Sequence, residues 1–266
     1  MYGRFSVILS RGFAHEGGTG LPKLSAYDKE LPYSYALGIF PATECLKHAA
    51  DRCMRLLVSA DSAESEGVLR LREAAEAAGI RCEEAGRLLE KISRKENCHA
   101  AMVFEKAESR LSGDGDHLVL HHPSDMGNLG TILRTALGFG YRDIAIIRPA
   151  ADSDDPRVVR ASMGAVFSLS VCHYDTFEAY RAAFPEHRLY PFMLTGSTPL
   201  DEAAASRTER CALVMGNEAT GLPEEFARYG TPVRIPHSGD IDSLNLAIAA
   251  GIGMYAFGRR REGGCA

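Results

Sequence analysis

The chain has 266 residues, 45% of them hydrophobic, and a net charge of −5 at pH 7. That length suffices for one large domain or two modest ones, and the negative charge excludes a protein that coats nucleic acid with its whole surface. Seven scattered cysteines form no C-x-x-C pair and have no zinc-like spacing to histidine, so no metal site is predicted and a reducing cytoplasm is favoured. No signal peptide or membrane span is predicted, because the longest small-residue apolar run, at 243–257, is too short.

Residues 1–30 are predicted to be an N-terminal extension, whose glycines lack a phosphate-binding fingerprint. A small α/β domain is predicted at 31–108, followed by a polar linker at 109–117. Its predicted helices are 41–50, 67–78 and 86–93, and its predicted strands are 54–59, 80–84 and 99–104. A basic cluster, defined by Arg87, Lys91, Arg94 and Lys95, is either a solvated helix face or a surface that contacts phosphates.

A second α/β unit is predicted at 118–266. Its predicted strands are 118–121, 143–148, 167–171, 188–194, 211–215 and 231–235, and its predicted helices are 128–139, 156–162, 176–184, 222–229 and 243–258. Short apolar strands that alternate with helices predict a mostly parallel sheet that is buried on both faces. The last helix is apolar on nearly every side, which predicts that it is covered by other elements or by a second subunit.

Three stretches of this second unit carry polar residues at strand ends or helix starts. Two of them follow strands of one sheet, so their loops and Arg134 are expected to lie close together. In the first, residues 121–140, Asn128 is suited to cap a helix, and Arg134 is expected to lie over bare Gly130 and point to the start of that helix. Such an arginine suits a phosphate or a developing alkoxide, although an ordinary surface arginine on an amphipathic helix is the alternative.

The second stretch is C-A-L-V-M-G-N-E-A-T-G-L-P at 211–223, a strand that runs into a glycine-bounded polar loop. Loops at the carboxyl ends of strands bind ligands in open α/β sheets, but a tight turn would also explain G-N-E. The third stretch, R-I-P-H-S-G-D-I-D-S-L-N at 234–245, places Ser243 and Asn245 at the start of the last helix, where free N–H groups suit a ligand.

These three motifs in this order resemble the SpoU/TrmH family, in the SPOUT superfamily, of S-adenosylmethionine-dependent RNA ribose 2′-O-methyltransferases. The resemblance covers about 118–258, and A-S-M-G-A-V-F at 161–167 is similar to a small-residue segment of that family. The N-terminal half is more loosely similar to the ribosomal-protein-like RNA-binding domain that many members carry.

The resemblance implies a C-terminal trefoil knot that holds the methyl donor, and a homodimer through the knot region. It implies donor binding by Leu194, Thr195, Gly196, Gly216, Asn217, Glu218, Gly221, Leu222, Ile235, Pro236, Ser243, Leu244 and Asn245. Arg134 is expected to hold the ribose or phosphate of RNA and to stabilise the forming alkoxide. Asn128, Glu218, Ser243 and Asn245 are expected to orient substrate and donor.

The substrate stays open at this point. Ribosomal RNA is favoured as the substrate because of the N-terminal half, and transfer RNA is the alternative substrate. A non-catalytic RNA-binding or ribosome-assembly protein on the same scaffold is an alternative function.

A dinucleotide-binding enzyme would need a glycine fingerprint after an early strand, and the sequence has none. The run H-P-S-D-M-G-N at 122–128 is longer than the acidic-Pro-x-N run of many members, so the loop before Asn128 is expected to differ from theirs.

Overall fold

The computed structural model describes residues 23–93, 98–207 and 210–262, with side chains described up to residue 258. Its N-terminal part is a four-stranded sheet of order β1-β4-β2-β3, in which β2 and β3 are parallel and the other pairs antiparallel. The strands are β1 (Tyr33–Leu37), β2 (Cys53–Val58), β3 (Arg81–Glu84) and β4 (Ala100–Glu105), and the helices are α1 (Ile39–His48), α2 (Glu66–Ala77) and α3 (Gly86–Ser93).

The second part is a five-stranded sheet of order β7-β6-β5-β10-β8, and each neighbouring pair is parallel. Its strands are β5 (His117–His121), β6 (Asp143–Ile147), β7 (Ser170–Tyr174), β8 (Arg188–Pro191) and β10 (Cys211–Met215). Two short strands, β9 (Thr198–Pro199) and β11 (Val233–Arg234), form a separate parallel pair. The helices are α4 (Met126–Gly138), α5 (Pro156–Ala161), α6 (Phe177–Ala183), α7 (Leu200–Ala205) and α8 (Leu246–Glu262).

The parallel sheet is buried on both faces, as predicted. Alternate residues of β5 point to opposite sides: Leu118 and Leu120 pack in the cluster with α4, α5 and α8, whereas Val119 packs with Phe177 and Phe226 on the other face. The first of these clusters continues into the N-terminal sheet, where the rings of Phe104 and Phe167 meet edge to face at 5.0 Å. One hydrophobic core therefore joins the two sheets.

Several predicted elements differ from the structure. The predicted strand 167–171 is replaced by a 3-10 turn and a strand that begins only at Ser170. The predicted helix 222–229 is a single 3-10 segment, Glu224–Arg228. The predicted strand 231–235 shortens to Val233–Arg234. Strands β1 and β9 and helix α7 were not predicted. Short segments of this kind are fixed by contacts distant in sequence, which local periodicity does not report.

Within the described chain, the other elements cover only one side of the last helix. Helix α8 begins at Leu246 instead of Ser243, and it leaves Ile248 56% and Tyr255 52% exposed. Its opposite side is buried through Ala250, Met254 and Phe257. Among the described residues, no helix is long and apolar enough to cross a bilayer.

A buried ion pair fixes the amino-terminal edge of the parallel sheet. The Arg207 guanidinium lies 2.7 Å from a carboxylate oxygen of Asp116 and also donates to the carbonyl of Phe257 on α8. The other carboxylate oxygen of Asp116 accepts from the backbone N–H of Cys211, the first residue of β10. Asp116 thus connects the start of two strands to α8.

We expect Asp116→Asn to lower the free energy of unfolding by about 3 kcal/mol, because it leaves the largely buried Arg207 cation without its counter-charge. Urea denaturation measures the loss. The matched control is Asp175→Asn, which breaks the exposed Arg148–Asp175 pair and should cost under about 1 kcal/mol. Equal losses in the two variants would contradict the structural role of Asp116.

Candidate functional site

The three motifs converge at one edge of the parallel sheet. Because neighbouring strands are parallel, the loops that follow β5, β8 and β10 leave the sheet at the same edge. The loop after β5 leads into α4, the loop after β10 holds the G-N-E stretch, and the segment after β11 leads into α8. The sequence-based expectation that these segments lie together is confirmed.

The start of α4 differs from the prediction for Asn128. Asp125 caps the helix, and its carboxylate accepts from the backbone N–H of Asn128 at 2.7 Å. The helix therefore begins at Met126, two residues before the predicted cap. This leaves the side chain of Asn128 free of capping, so that it can contact the other motifs.

Gly130 is a helix-packing position and not the bare surface predicted beneath Arg134. It is buried against α5, where an added Cβ would lie 2.4 Å from Cβ of Ala161 and 2.9 Å from the carbonyl oxygen of Val158. Arg134 itself is exposed. Within the described part of the chain, no hydrogen bond or ion pair holds its guanidinium.

The loop after β10 is a tight turn that also builds the site. Asn217 and Gly221 bond to each other through their backbones, Gly221 has a φ of +67°, and a Cβ on Gly216 would lie 2.3 Å from the carbonyl carbon of Gly221. Glycine is needed at both positions for steric reasons. The Asn217 side chain donates to the carbonyl of His122 at 2.7 Å, which links this turn to the loop after β5.

The carboxylate of Glu218 is the centre of the hydrogen-bond network. It accepts hydrogen bonds from the backbone N–H groups of Ser124 and Asp125, both at 3.1 Å. It also accepts from three side chains: the Ser124 hydroxyl at 2.9 Å, the Asn128 amide at 3.4 Å and the Asn217 amide at 3.3 Å. Partial burial raises the pKa of Glu218, but the backbone N–H groups of Glu218, Ser124 and Asp125 outweigh it and lower the pKa overall. Glu218 is thus a charged acceptor whose lone pairs are already engaged.

Asn245 joins the third motif to the first. Its side-chain N–H donates to the side-chain oxygen of Asn128 at 3.0 Å, and its own side-chain oxygen accepts from the backbone N–H groups of Ala247 and Ile248 at the start of α8. The side chains of Glu218, Asn128 and Asn245 therefore form a continuous chain of hydrogen bonds through all three motifs.

A pocket lies beside this chain, between the ends of β8, β10 and β11 and the start of α8. Eight of the residues predicted to bind the donor line it: Leu194, Gly216, Asn217, Glu218, Gly221, Ile235, Ser243 and Leu244. The others, Thr195, Gly196, Leu222, Pro236 and Asn245, do not line it. Leu222 is buried in the second core cluster, and Gly196 packs so closely on β11 that a Cβ would lie 2.6 Å from the carbonyl of Val233.

Sequence reasoning missed several residues of the pocket wall. Phe192, Met193, Met215, Val233, Leu246 and Ala249 contribute apolar surface, and Ala219, Thr220, Arg234 and His237 complete the wall. The apolar residues end strands or begin a helix, where their pattern is the same as that of core residues. His237 lies within the third motif, directly after Pro236, and this position was the available signal.

Two of the four residues of the basic cluster, Arg87 and Lys91, lie on the surface of helix α3. Arg87 and Lys91 are exposed, one turn apart on α3. Arg94 and Lys95 lie outside the described residues. The RNA-contacting role of this cluster stays a prediction, as do the individual roles assigned to the site residues.

These features define an α/β protein with a ligand pocket at the carboxyl edge of a parallel sheet. The SpoU rRNA Methylase family matches residues 116–255, more than half of the chain, and the chain belongs to that family.

Individual relatives agree with this assignment. A 23S rRNA (adenosine(1067)-2′-O)-methyltransferase of Streptomyces laurentii is 35% identical over 150 residues, which are 55% of each protein, so the chain spans about half the length of that relative. RlmB, a 23S rRNA (guanosine-2′-O-)-methyltransferase of Acinetobacter baylyi, is 27% identical over 86% of this chain and 98% of its own. An AdoMet-bound rRNA methyltransferase from Sinorhizobium meliloti has a TM-score of 0.72 and 28% identity, with 86% of this chain and 88% of that one covered.

The role of Glu218 in holding the loop after β5 can be tested by amide hydrogen exchange. We expect Glu218→Gln to speed exchange at Ser124 and Asp125 by about tenfold or more, because the charged acceptor of both N–H groups is lost. Glu225→Gln, a change at an exposed glutamate of the same segment, is the control and should leave these amides unchanged. Unchanged exchange in Glu218→Gln would show that the loop is held by other contacts.

Proposed function

We propose that this protein transfers a methyl group from S-adenosylmethionine to a ribose 2′-hydroxyl of RNA, with ribosomal RNA as the substrate. The observation that carries the proposal is the convergence of the three motifs through Glu218, Asn128 and Asn245 beside one pocket. Family membership and the rRNA-modifying relatives named above support the substrate class. Transfer RNA is the second candidate, since the TrmH-type motifs alone do not select one RNA.

The pocket fits the methyl donor. Apolar side chains such as Leu194, Met215 and Leu244 form one wall, which suits an adenine ring, and the glycine-bounded turn 216–221 brings backbone polar groups close to the ligand. When bound, S-adenosylmethionine supplies an activated methyl group on a sulfonium. Ile235, Ser243 and the turn would hold it, and residues of this chain would position the acceptor hydroxyl.

We assign different tasks to the polar residues around the pocket. Glu218 already accepts several hydrogen bonds, so we assign it to holding Ser124, Asp125 and Asn128 in place and not to proton removal. Asn128 and Asn245 fix each other and the start of α8. Their contribution is geometric: a positioned acceptor makes the transfer effectively unimolecular.

Arg134 is the residue that we assign to the RNA. It is exposed on α4, and helical side chains lean toward the N-terminal end of their helix. A guanidinium can hold the ribose–phosphate backbone and stabilise the alkoxide that forms as the 2′-hydroxyl loses its proton. The exposed Arg87 and Lys91 would add phosphate contacts from the N-terminal part, which we propose is the RNA-binding domain.

The knot and the dimer complete the proposal. Pairing of β9 with β11, the close packing of Gly196 on Val233 and the contacts of α8 with both α4 and α7 support a knotted arrangement of the last strands and helix. The exposed Ile248 and Tyr255, with Phe139 against the Tyr255 ring at 5.9 Å, support a homodimer through this face. The cytoplasmic location stays a prediction from the sequence.

Incubation of the protein with labelled methyl donor and total cellular RNA tests the activity, and mapping of 2′-O-methyl sites in cells with and without the gene identifies the nucleotide. We expect label in ribosomal RNA. Label in transfer RNA alone would replace the substrate, and donor binding without transfer to any RNA would support the non-catalytic alternative.

We expect Arg134→Ala to slow methyl transfer by at least about 100-fold and to leave donor affinity nearly unchanged, because its guanidinium serves the acceptor and not the donor pocket. Single-turnover kinetics and calorimetric donor titration measure the two quantities. Arg142→Ala is the control, since Arg142 precedes β6 and so lies at the opposite edge of the sheet. Equal loss of donor affinity in Arg134→Ala would show that the assignment is wrong.

We expect Ile248→Asp combined with Tyr255→Asp to convert a dimer into a monomer, because two charges would then have to be buried at the shared face. Light scattering during size-exclusion chromatography measures the mass. Leu69→Asp, at an exposed leucine of α2, is the control and should leave the mass unchanged. A wild-type protein that is monomeric at micromolar concentration would exclude the proposed dimer.

A further inference from the structure

Two cysteines outside the proposed donor site lie side by side in the N-terminal part. The Sγ atoms of Cys45 on α1 and Cys53 at the start of β2 are 3.6 Å apart. Cys45 is fully buried, whereas Cys53 is partly exposed and, as a thiol, donates to the carbonyl of Ala49 at 3.4 Å. Within the described ranges, no group of three or more His, Cys, Asp or Glu side chains is arranged to hold a metal ion. The chemistry that this arrangement suggests is that of the two thiols with each other.

We propose that Cys45 and Cys53 form a dithiol site that a hydroperoxide oxidises reversibly to a disulfide, with Cys53 reacting first. The Cys53 thiolate attacks the peroxide, the O–O bond breaks, and the leaving oxygen takes up a proton, which gives a sulfenic acid on Cys53. The sulfur of Cys45 then attacks the sulfur of Cys53, and the hydroxyl leaves with the Cys45 proton as water. Two thiols and one hydroperoxide thus become a disulfide, an alcohol and water; with hydrogen peroxide the alcohol is a second water.

The order of reaction follows from the different surroundings of the two sulfurs. The hydrogen bond with Cys45 lowers the pKa of the Cys53 thiol, and the positive charge of the adjacent Arg52 guanidinium lowers it further. Burial of Cys53 raises this pKa, but the net effect is a lowered pKa. The same hydrogen bond and burial raise the pKa of Cys45. Cys53 is also the more accessible of the two, so it is suited to meet the oxidant, and Cys45 is suited to resolve the sulfenic acid.

The geometry allows the bond to form. A disulfide has an S–S length of about 2.05 Å, so the two sulfurs, which are already in van der Waals contact, have to approach by roughly 1.5 Å. The seven residues between them are the end of α1, Ala49 and the short 3-10 segment Ala50–Arg52. Partial exposure of Cys53 leaves the finished disulfide open to attack by an external thiolate, which makes the oxidation reversible.

The experiment uses the full chain, first reduced, then treated with hydrogen peroxide, blocked with a thiol alkylating agent and digested with trypsin. Cleavage after Lys47 and Arg52 separates the two cysteines into peptides 30–47 and 53–55, so a linked pair of these peptides identifies the disulfide by mass spectrometry. We expect this pair to form at least about tenfold faster than any oxidation of Cys82, Cys98 or Cys172, and to disappear on reduction. Oxidation of those cysteines without the linked pair would overturn the proposal.

Two variants separate the roles of the sulfurs. Cys45→Ser removes the resolving thiol, and we expect Cys53 to accumulate as a sulfenic acid that a dimedone probe labels. Cys53→Ser should leave the buried Cys45 unoxidised under the same conditions, and its partly exposed position makes it the variant that best preserves the fold. Equally fast oxidation of Cys45 in Cys53→Ser would show that Cys53 does not react first; the linked pair in the wild-type protein is a readout that needs neither variant.

Discussion

The candidate site depends on the interaction between the Glu218 carboxylate and the first residues after β5. Four of its hydrogen bonds come from Ser124, Asp125 and Asn128, two of them from backbone N–H groups that would otherwise lack a partner at the start of α4. A negative charge near the N-terminus of a helix is also favoured by the helix dipole. One side chain on the loop after β10 therefore sets the path of the chain 90 residues earlier, and through Asn128 it sets the position of Asn245 as well.

Under the proposed function, this arrangement divides the site into a donor side and an acceptor side that are held by different numbers of contacts. The donor side is built from residues that bond to one another, with a tight turn between Gly216 and Gly221 and a capped start of α8. The acceptor side relies on Arg134, which is exposed and has no hydrogen-bond or ion-pair partner among the described residues. We interpret the first part as preorganised for the donor, and the second as a side chain that becomes ordered when RNA binds.

The sequence was sufficient to predict the parallel sheet, the convergence of the three motifs and the family. The alternation of short apolar strands with helices predicts a parallel sheet, and the motifs have a recognisable order and spacing. It was insufficient where contacts between distant elements decide. Asp125 outcompetes Asn128 as the cap because the loop after β5 is held by Glu218, and Gly130 is buried because α5 approaches it closely. Met215 and Phe192 could not be separated from core residues, since a pocket wall at a strand end has the same composition as a core.

The contact between Phe104 and Phe167 has a consequence for how the molecule can be divided. The two sheets do not bury separate interiors, because residues of β1, β2 and β4 belong to the same apolar cluster as those of α4, α5 and β5. Cutting the chain between the sheets would expose apolar surface on both pieces, and the N-terminal sheet cannot be replaced by another module unless that module also covers Phe167. Replacement of the N-terminal sheet by another module is therefore limited by side-chain complementarity at this contact and not by the length of the connecting segment.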